Sequence, residues 1–117
     1  MIVIVDDRTA VAQTYRTLFE HEGISISDFC SQDLAGWVAT AAEDDVDAID
    51  AFLIGECERL GGVADLIKRR CDAAVIALRE WRSLEATLEL FAEGVDDVVV
   101  EPCHVREILA RIAAILR

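Results

Sequence analysis

MIVIVDD, residues 1–7, sets four apolar side chains in a row and ends on two aspartates. A run this short with polar boundaries is the pattern of a strand covered on both faces. The period then changes. Over 8–22, Val11, Tyr15, Leu18 and Phe19 recur at helical spacing, and Gly23 supplies a stop. Together these residues predict one strand-helix unit, and the rest of the chain repeats it. Residues 24–29 alternate Ile and Ser before ending at Phe29, as an outer strand with one wetter face does. Residues 31–42 carry Leu34, Trp37, Val38 and Ala41 on a second amphipathic helix, weakened by Gly36 and closed by the acidic run at 43–45. Further pairs follow at 51–54 and 63–71, 74–78 and 84–93, and 97–100 and 105–116.

Regular alternation of this kind predicts an α/β fold, because parallel strands require crossovers and crossovers are right-handed. The expected architecture is a flavodoxin-like, doubly wound sheet in the order 2-1-3-4-5 with five helices. No linker or low-complexity tract interrupts it, so residues 1–117 read as one domain, within the size range of a single core. Apolar residues make up 54% and charged residues 29%, a balance that excludes a disordered segment.

The apolar runs are too short to span a bilayer, and the first residues lack the features of a signal peptide. The reading is a cytoplasmic protein with no membrane role. Cys30, Cys57, Cys71 and Cys103 form no C-x-x-C pair and, with His21 and His104, no zinc pattern, so they read as buried free thiols. A net charge of −12 repels phosphate backbones. This segment is not expected to hold DNA itself.

In an open parallel sheet the functional crevice lies beyond the carboxyl ends of the strands. The residues to inspect are Asp6 and Asp7 after the first strand, Gly55 and Glu56 after the third, Arg79 and Glu80 after the fourth, and Glu101 and Pro102 after the fifth. Two carboxylates at one strand end are donors of the type Mg²⁺ takes.

The motif V-D-D, the five strand-helix units, G-V-D-D-V-V-V-E-P and R-E-I-L-A-R-I resemble response-regulator receiver domains along essentially the full chain. That resemblance implies a phosphoacceptor aspartate at the end of the third strand and an acidic pair holding Mg²⁺. It also implies a Ser or Thr after the fourth strand, a Lys after the fifth and an aromatic in the fifth. Here Gly55 stands at the acceptor position, Arg79 at the Ser/Thr position, Glu101 at the Lys position and Val98 at the aromatic. Glycine has no oxygen nucleophile, so the acyl phosphate cannot form at 55. Glu56 could stand in only through a register slip that turns its side chain to the other face. Glu101 adds negative charge beside Asp6 and Asp7, which Arg79 relieves if it reaches across, the alternative being that Arg79 extends into solvent. The family's cis bond before proline is expected at Glu101–Pro102.

Asp96, Asp97, Glu107 and Arg111 fall where the winged-helix (OmpR-type) receivers carry the charges that join two protomers, on the surface formed by the helix over 84–93, the strand over 97–100 and the helix over 105–116. The resemblance pairs Asp97 with Arg111 of a second copy in a homodimer, while Thr87 replaces a usual basic residue. From periodicity alone the same residues read as solvated charges, with Glu107 and Arg111 an i,i+4 pair. Trp37 keeps core spacing with Leu34; Trp81 reads equally as a surface residue and as a cover for the acceptor pocket.

M-I-V-I-V-D-D-R, A-F-L-I-G and H-V-R-E-I-L-A-R are similar to the receivers of alphaproteobacterial flagellar master regulators, winged-helix transcription activators that already lack the acceptor aspartate. This resemblance implies a phosphorylation-independent domain of a DNA-binding regulator of flagellar genes, not an enzyme, acting as a dimer. Its DNA contacts would come from a C-terminal winged-helix domain outside these residues. The alternatives are a conventional receiver that uses Asp6 or Asp7 as acceptor, and a free-standing interaction module.

Overall fold

Which helix covers which face of the sheet follows from the alternation of side chains along each strand. In the computed structural model, which describes residues 1–57 and 62–117, the strands are β1 (Ile2–Val5), β2 (Ile26–Phe29), β3 (Ala51–Ile54), β4 (Ala74–Arg79) and β5 (Asp97–Val100). The helices are α1 (Thr9–His21), α2 (Ser31–Thr40), α3 (Glu43–Asp47), α4 (Val63–Arg70), α5 (Leu84–Ala92) and α6 (Val105–Ile115). All strand pairs are parallel, in the order β2-β1-β3-β4-β5. The expected topology is therefore the observed one.

Val3, Val5, Phe52, Ile54, Val75, Ala77 and Val98 face one core, closed by side chains of α2, α4 and α5. Ile2, Ile4, Leu53, Ile76, Leu78 and Val99 face the other, closed by Tyr15 and Phe19 of α1 and Ile108 and Ile112 of α6. Two cores on one sheet explain why β1 and β3 are buried at every position. Each large apolar side chain placed there contributes roughly 1.5–3 kcal/mol. Register sets the site: Val5 pairs with Ile54, so the residues after β1 and β3 come out side by side.

Six helices occur among the described residues where five were expected. The acidic run at 43–45 does not close the second helix; it opens α3. Two causes act together. Arg70 of α4 donates from Nε to the Val38 carbonyl at 3.0 Å and from Nη2 to the Ala41 carbonyl, taking up carbonyls at the end of α2. Carboxylates are also favoured at a helix N-terminus and disfavoured at a C-terminus, so Glu43, Asp44 and Asp45 mark a start. The chain turns through extended backbone at Ala41 and Ala42 between the two.

β2 is shorter than expected because Ile24 is held in the capping turn that follows α1: its N–H donates to the Phe19 carbonyl at 3.0 Å, just after Gly23 at φ 77°. The cysteine reading also needs correction. All four are free, but Cys30 is exposed and the other three are only half-buried. Cys57 donates to the Val5 carbonyl at 3.4 Å, and burial pushes its thiol up to about 12. Among the described residues no helix is long and apolar enough to cross a membrane.

Candidate functional site

The carboxyl ends of β1, β3, β4 and β5 meet at one edge of the sheet. Gly55 donates its N–H to the Val5 carbonyl at 2.8 Å, Asp7 to Glu56 at 2.8 Å, and Glu101 to Arg79 at 2.6 Å, so the segments leaving the strands are tied to one another. The Glu101–Pro102 bond is cis, as expected.

The acidic pair is split. Asp7 accepts from the backbone N–H and the hydroxyl of Ser31, both at 2.8 Å, and so places a carboxylate at the N-terminus of α2. Asp6 turns inward, its side chain 0% exposed, and is met by Arg8. Arg8 Nε donates to Asp6 Oδ1 at 3.0 Å and Nη2 to Oδ2 at 2.8 Å; the Arg8 backbone N–H also donates to Oδ1 at 2.8 Å. The same guanidinium reaches both oxygens of Glu101 at 3.2 Å and Glu80 Oε1 at 3.0 Å. A guanidinium has five N–H donors, and each of the five here has a carboxylate oxygen. The hydrogen bond to Asp6 is the main reason the Arg8 guanidinium is held in its charged form more strongly than usual.

Arg8 is thus the cation beside Glu101 and Asp6, the role that the sequence left open for Arg79. Arg79 Nη1 donates instead to the carbonyls of Gly55 at 3.3 Å and Leu78 at 2.9 Å, and Arg79 has no ion pair to Asp6, Asp7 or Glu101. The signal was available: Glu101 needed a counter-charge, and Arg8 directly follows the acid pair. Arg8 also sits at the N-cap of α1, where a positive charge is unfavourable, so the three carboxylates offset a local cost.

At Gly55 the space for a side chain is already taken. A Cβ there would stand 2.0 Å from Asp6 Oδ2, 2.7 Å from Asp6 Cγ and 3.2 Å from Arg8 Nη2. Val98, at the position expected to be aromatic, is buried in the core. A cleft of about 380 Å³ lies beside Gly55, lined by Arg8, Cys57, Arg79, Trp81 and Thr87 among others. Trp81 remains 71% exposed and borders the cleft without sealing it. Trp37 packs on Phe29, ring centroids 5.2 Å apart, at the edge of the core as expected.

The donor set does not fit a resident Mg²⁺. Both oxygens of Asp6 and both of Glu101 accept from Arg8, those of Asp7 accept from Ser31, and no group of three His, Cys, Asp or Glu side chains among the described residues is arranged around a metal position.

On the outer face the charges close within the chain. Arg111 Nη1 pairs with Asp97 at 3.0 Å and Nε lies 3.5 Å from Glu107, while Asp96 pairs with Lys68 at 2.5 Å and accepts from the Val75 N–H at 2.8 Å. Asp97 and Arg111, expected to pair between protomers, are therefore already paired inside one. The sequence reading did not single out Leu84, Leu88 and Phe91, which are spaced by four and three residues along α5 and are all exposed. Their helical spacing was the available signal.

No family model matches the chain. Over all 117 residues it is 53% identical to the flagellar transcriptional regulator FtcR of Brucella abortus, and it spans 52% of that protein, about half its length. Among solved structures, a two-component response regulator from Clostridium difficile superposes with a TM-score of 0.80 at 19% identity, covering 99% of this chain and 94% of that one. A CheY-like response regulator receiver domain protein from Methanospirillum hungatei gives 0.73 at 21%, covering 97% and 90%. With this strand order, these structural neighbours and a full-length match to half of a flagellar regulator, the chain has the response-regulator receiver (CheY-like) fold.

Proposed function

We propose that this domain is a phosphorylation-independent receiver within a cytoplasmic transcriptional regulator of flagellar genes, and that it works by assembly and not by accepting phosphate. The observation that carries the reading is at position 55: the residue is glycine, and the volume of its absent side chain is filled by the Asp6 carboxylate. The alternative acceptors are poorly placed for phosphoryl transfer, because Asp6 is enclosed by Arg8 and Asp7 is engaged by Ser31. No Mg²⁺ is required. With net charge −12, the domain leaves DNA contact to a winged-helix segment outside these residues, in keeping with a chain that spans 52% of the flagellar regulator it resembles.

Assembly is assigned to α5. An exposed apolar stripe on α5, together with outer charges that are already paired within the chain, favours a homodimer held by burial of Leu84, Leu88 and Phe91, with Asp96, Asp97, Glu107 and Arg111 assigned to its rim. The expected dimer is little changed by raising salt, since screening weakens exposed ion pairs and not apolar contact. Leu88→Glu is expected to give a monomer by sedimentation, and a dimer that dissociates with salt but tolerates Leu88→Glu would contradict this assignment.

The functional reading is tested with the complete gene product. Purified without any phosphodonor, it should retard DNA from upstream of flagellar genes, with the same affinity after acetyl phosphate and Mg²⁺ are added. Failure to bind such DNA, or binding only after the phosphodonor, would refute it.

A further inference from the structure

Gly55 is not required by its backbone. Among the described residues the glycines with positive φ are Gly23, Gly62 and Gly94, so position 55 lies outside the region that excludes other residues. What excludes a side chain is occupied space: Asp6 Oδ2 lies 2.0 Å from where the Cβ would be. Asp6 stays there because Arg8 holds both its oxygens from one side and the Arg8 backbone N–H holds Oδ1. The other half of the guanidinium is anchored on Glu101, only 12% exposed, and on Glu80. Each member of this set depends on the next. Without Arg8, Glu101 and Asp6 would be two little-exposed carboxylates with no cation; without the fork on Asp6, its side chain would be free to turn away from Gly55.

We propose that Arg8 is a positioning residue that makes glycine obligatory at position 55, so that Arg8, Asp6, Glu101 and Gly55 form one coupled unit and no single substitution reopens the acceptor site. Resting on the reading of position 55 as the acceptor, the inference concerns how that site is kept closed. It is tested by stability and not by phosphorylation, so the two can fail separately.

The experiment is a thermal-melting cycle on the 117-residue chain with G55A, R8K and R8K/G55A. Lysine keeps the positive charge but has three donors on one nitrogen and cannot hold two carboxylate forks at once. In the wild-type background G55A should lower the melting temperature by at least about 4 °C. In the R8K background the additional fall on introducing alanine should be less than half as large. An equal fall in both backgrounds, or no fall in the wild type, overturns the proposal. If G55A alone is too unstable to purify, R8K/G55A is compared with R8K: a cooperative melt within about 4 °C of R8K supports the proposal, because the carboxylate is no longer held against position 55, and the absence of one overturns it.

Discussion

Arg8→Ala is expected to lower the stability of the domain by about 3–5 kcal/mol, measured as the change in unfolding free energy in urea. The size follows from what remains behind. Asp6, whose side chain is 0% exposed, loses two charge-assisted hydrogen bonds, and Glu101 loses both of its own. A buried carboxylate left without its cation carries the full penalty of desolvation, whereas an exposed pair such as Arg69–Asp65 contributes roughly 0–1 kcal/mol. Arg69→Ala is therefore the control, with little change expected. A loss below about 1 kcal/mol for Arg8→Ala would place the Arg8 cluster in the same class as those surface pairs.

Gly55→Asp, which supplies the missing acceptor carboxylate, is expected to destabilise by about 3 kcal/mol and to remain unphosphorylated. Its Cβ alone would stand 2.0 Å from Asp6 Oδ2, and forcing atoms into filled space costs roughly 1–3 kcal/mol. The new carboxylate would also face Asp6, adding like-charge repulsion that raises the cost toward the upper end of that range. Urea unfolding gives the first quantity and intact mass after incubation with acetyl phosphate and Mg²⁺ the second. A stable, readily phosphorylated Gly55→Asp protein would mean that the pocket keeps the space and polarity of a working acceptor site.

Most of the fold was legible because it depends on local pattern. The strands read at 2–5, 51–54 and 97–100 coincide with the limits of β1, β3 and β5, and regular strand-helix alternation admits few topologies. α3 was missed because its start is set jointly by its own acids and by Arg70, a residue of α4 that reaches the carbonyls of Val38 and Ala41. Contacts between distant segments have no periodic signature.

The site divides in the same way. That residue 55 is glycine, with no side-chain nucleophile, is read from a single residue, and the family resemblance placed the expected acceptor there. The replacement of the expected cation could not be located so directly. Arg79 ends β4 and Arg8 comes shortly after β1, and the three-dimensional arrangement shows that Arg79 folds onto the carbonyls of Gly55 and Leu78 while Arg8 spans Asp6, Glu80 and Glu101. The pairing of Asp97 with Arg111 was expected between protomers; here Nη1 of Arg111 reaches Asp97 of its own chain at 3.0 Å. The family resemblance identified the two partners, but neither it nor residue type says which copy supplies them in this chain.

The most direct measurement of the central claim is the intact mass of the unaltered chain after prolonged incubation with acetyl phosphate and Mg²⁺. A single species at the mass of the unmodified protein is expected, because Gly55 has no nucleophile and Asp6 and Asp7 are engaged by Arg8 and Ser31. A second species heavier by one phosphoryl group, mapped to Asp6 or Asp7, would contradict it.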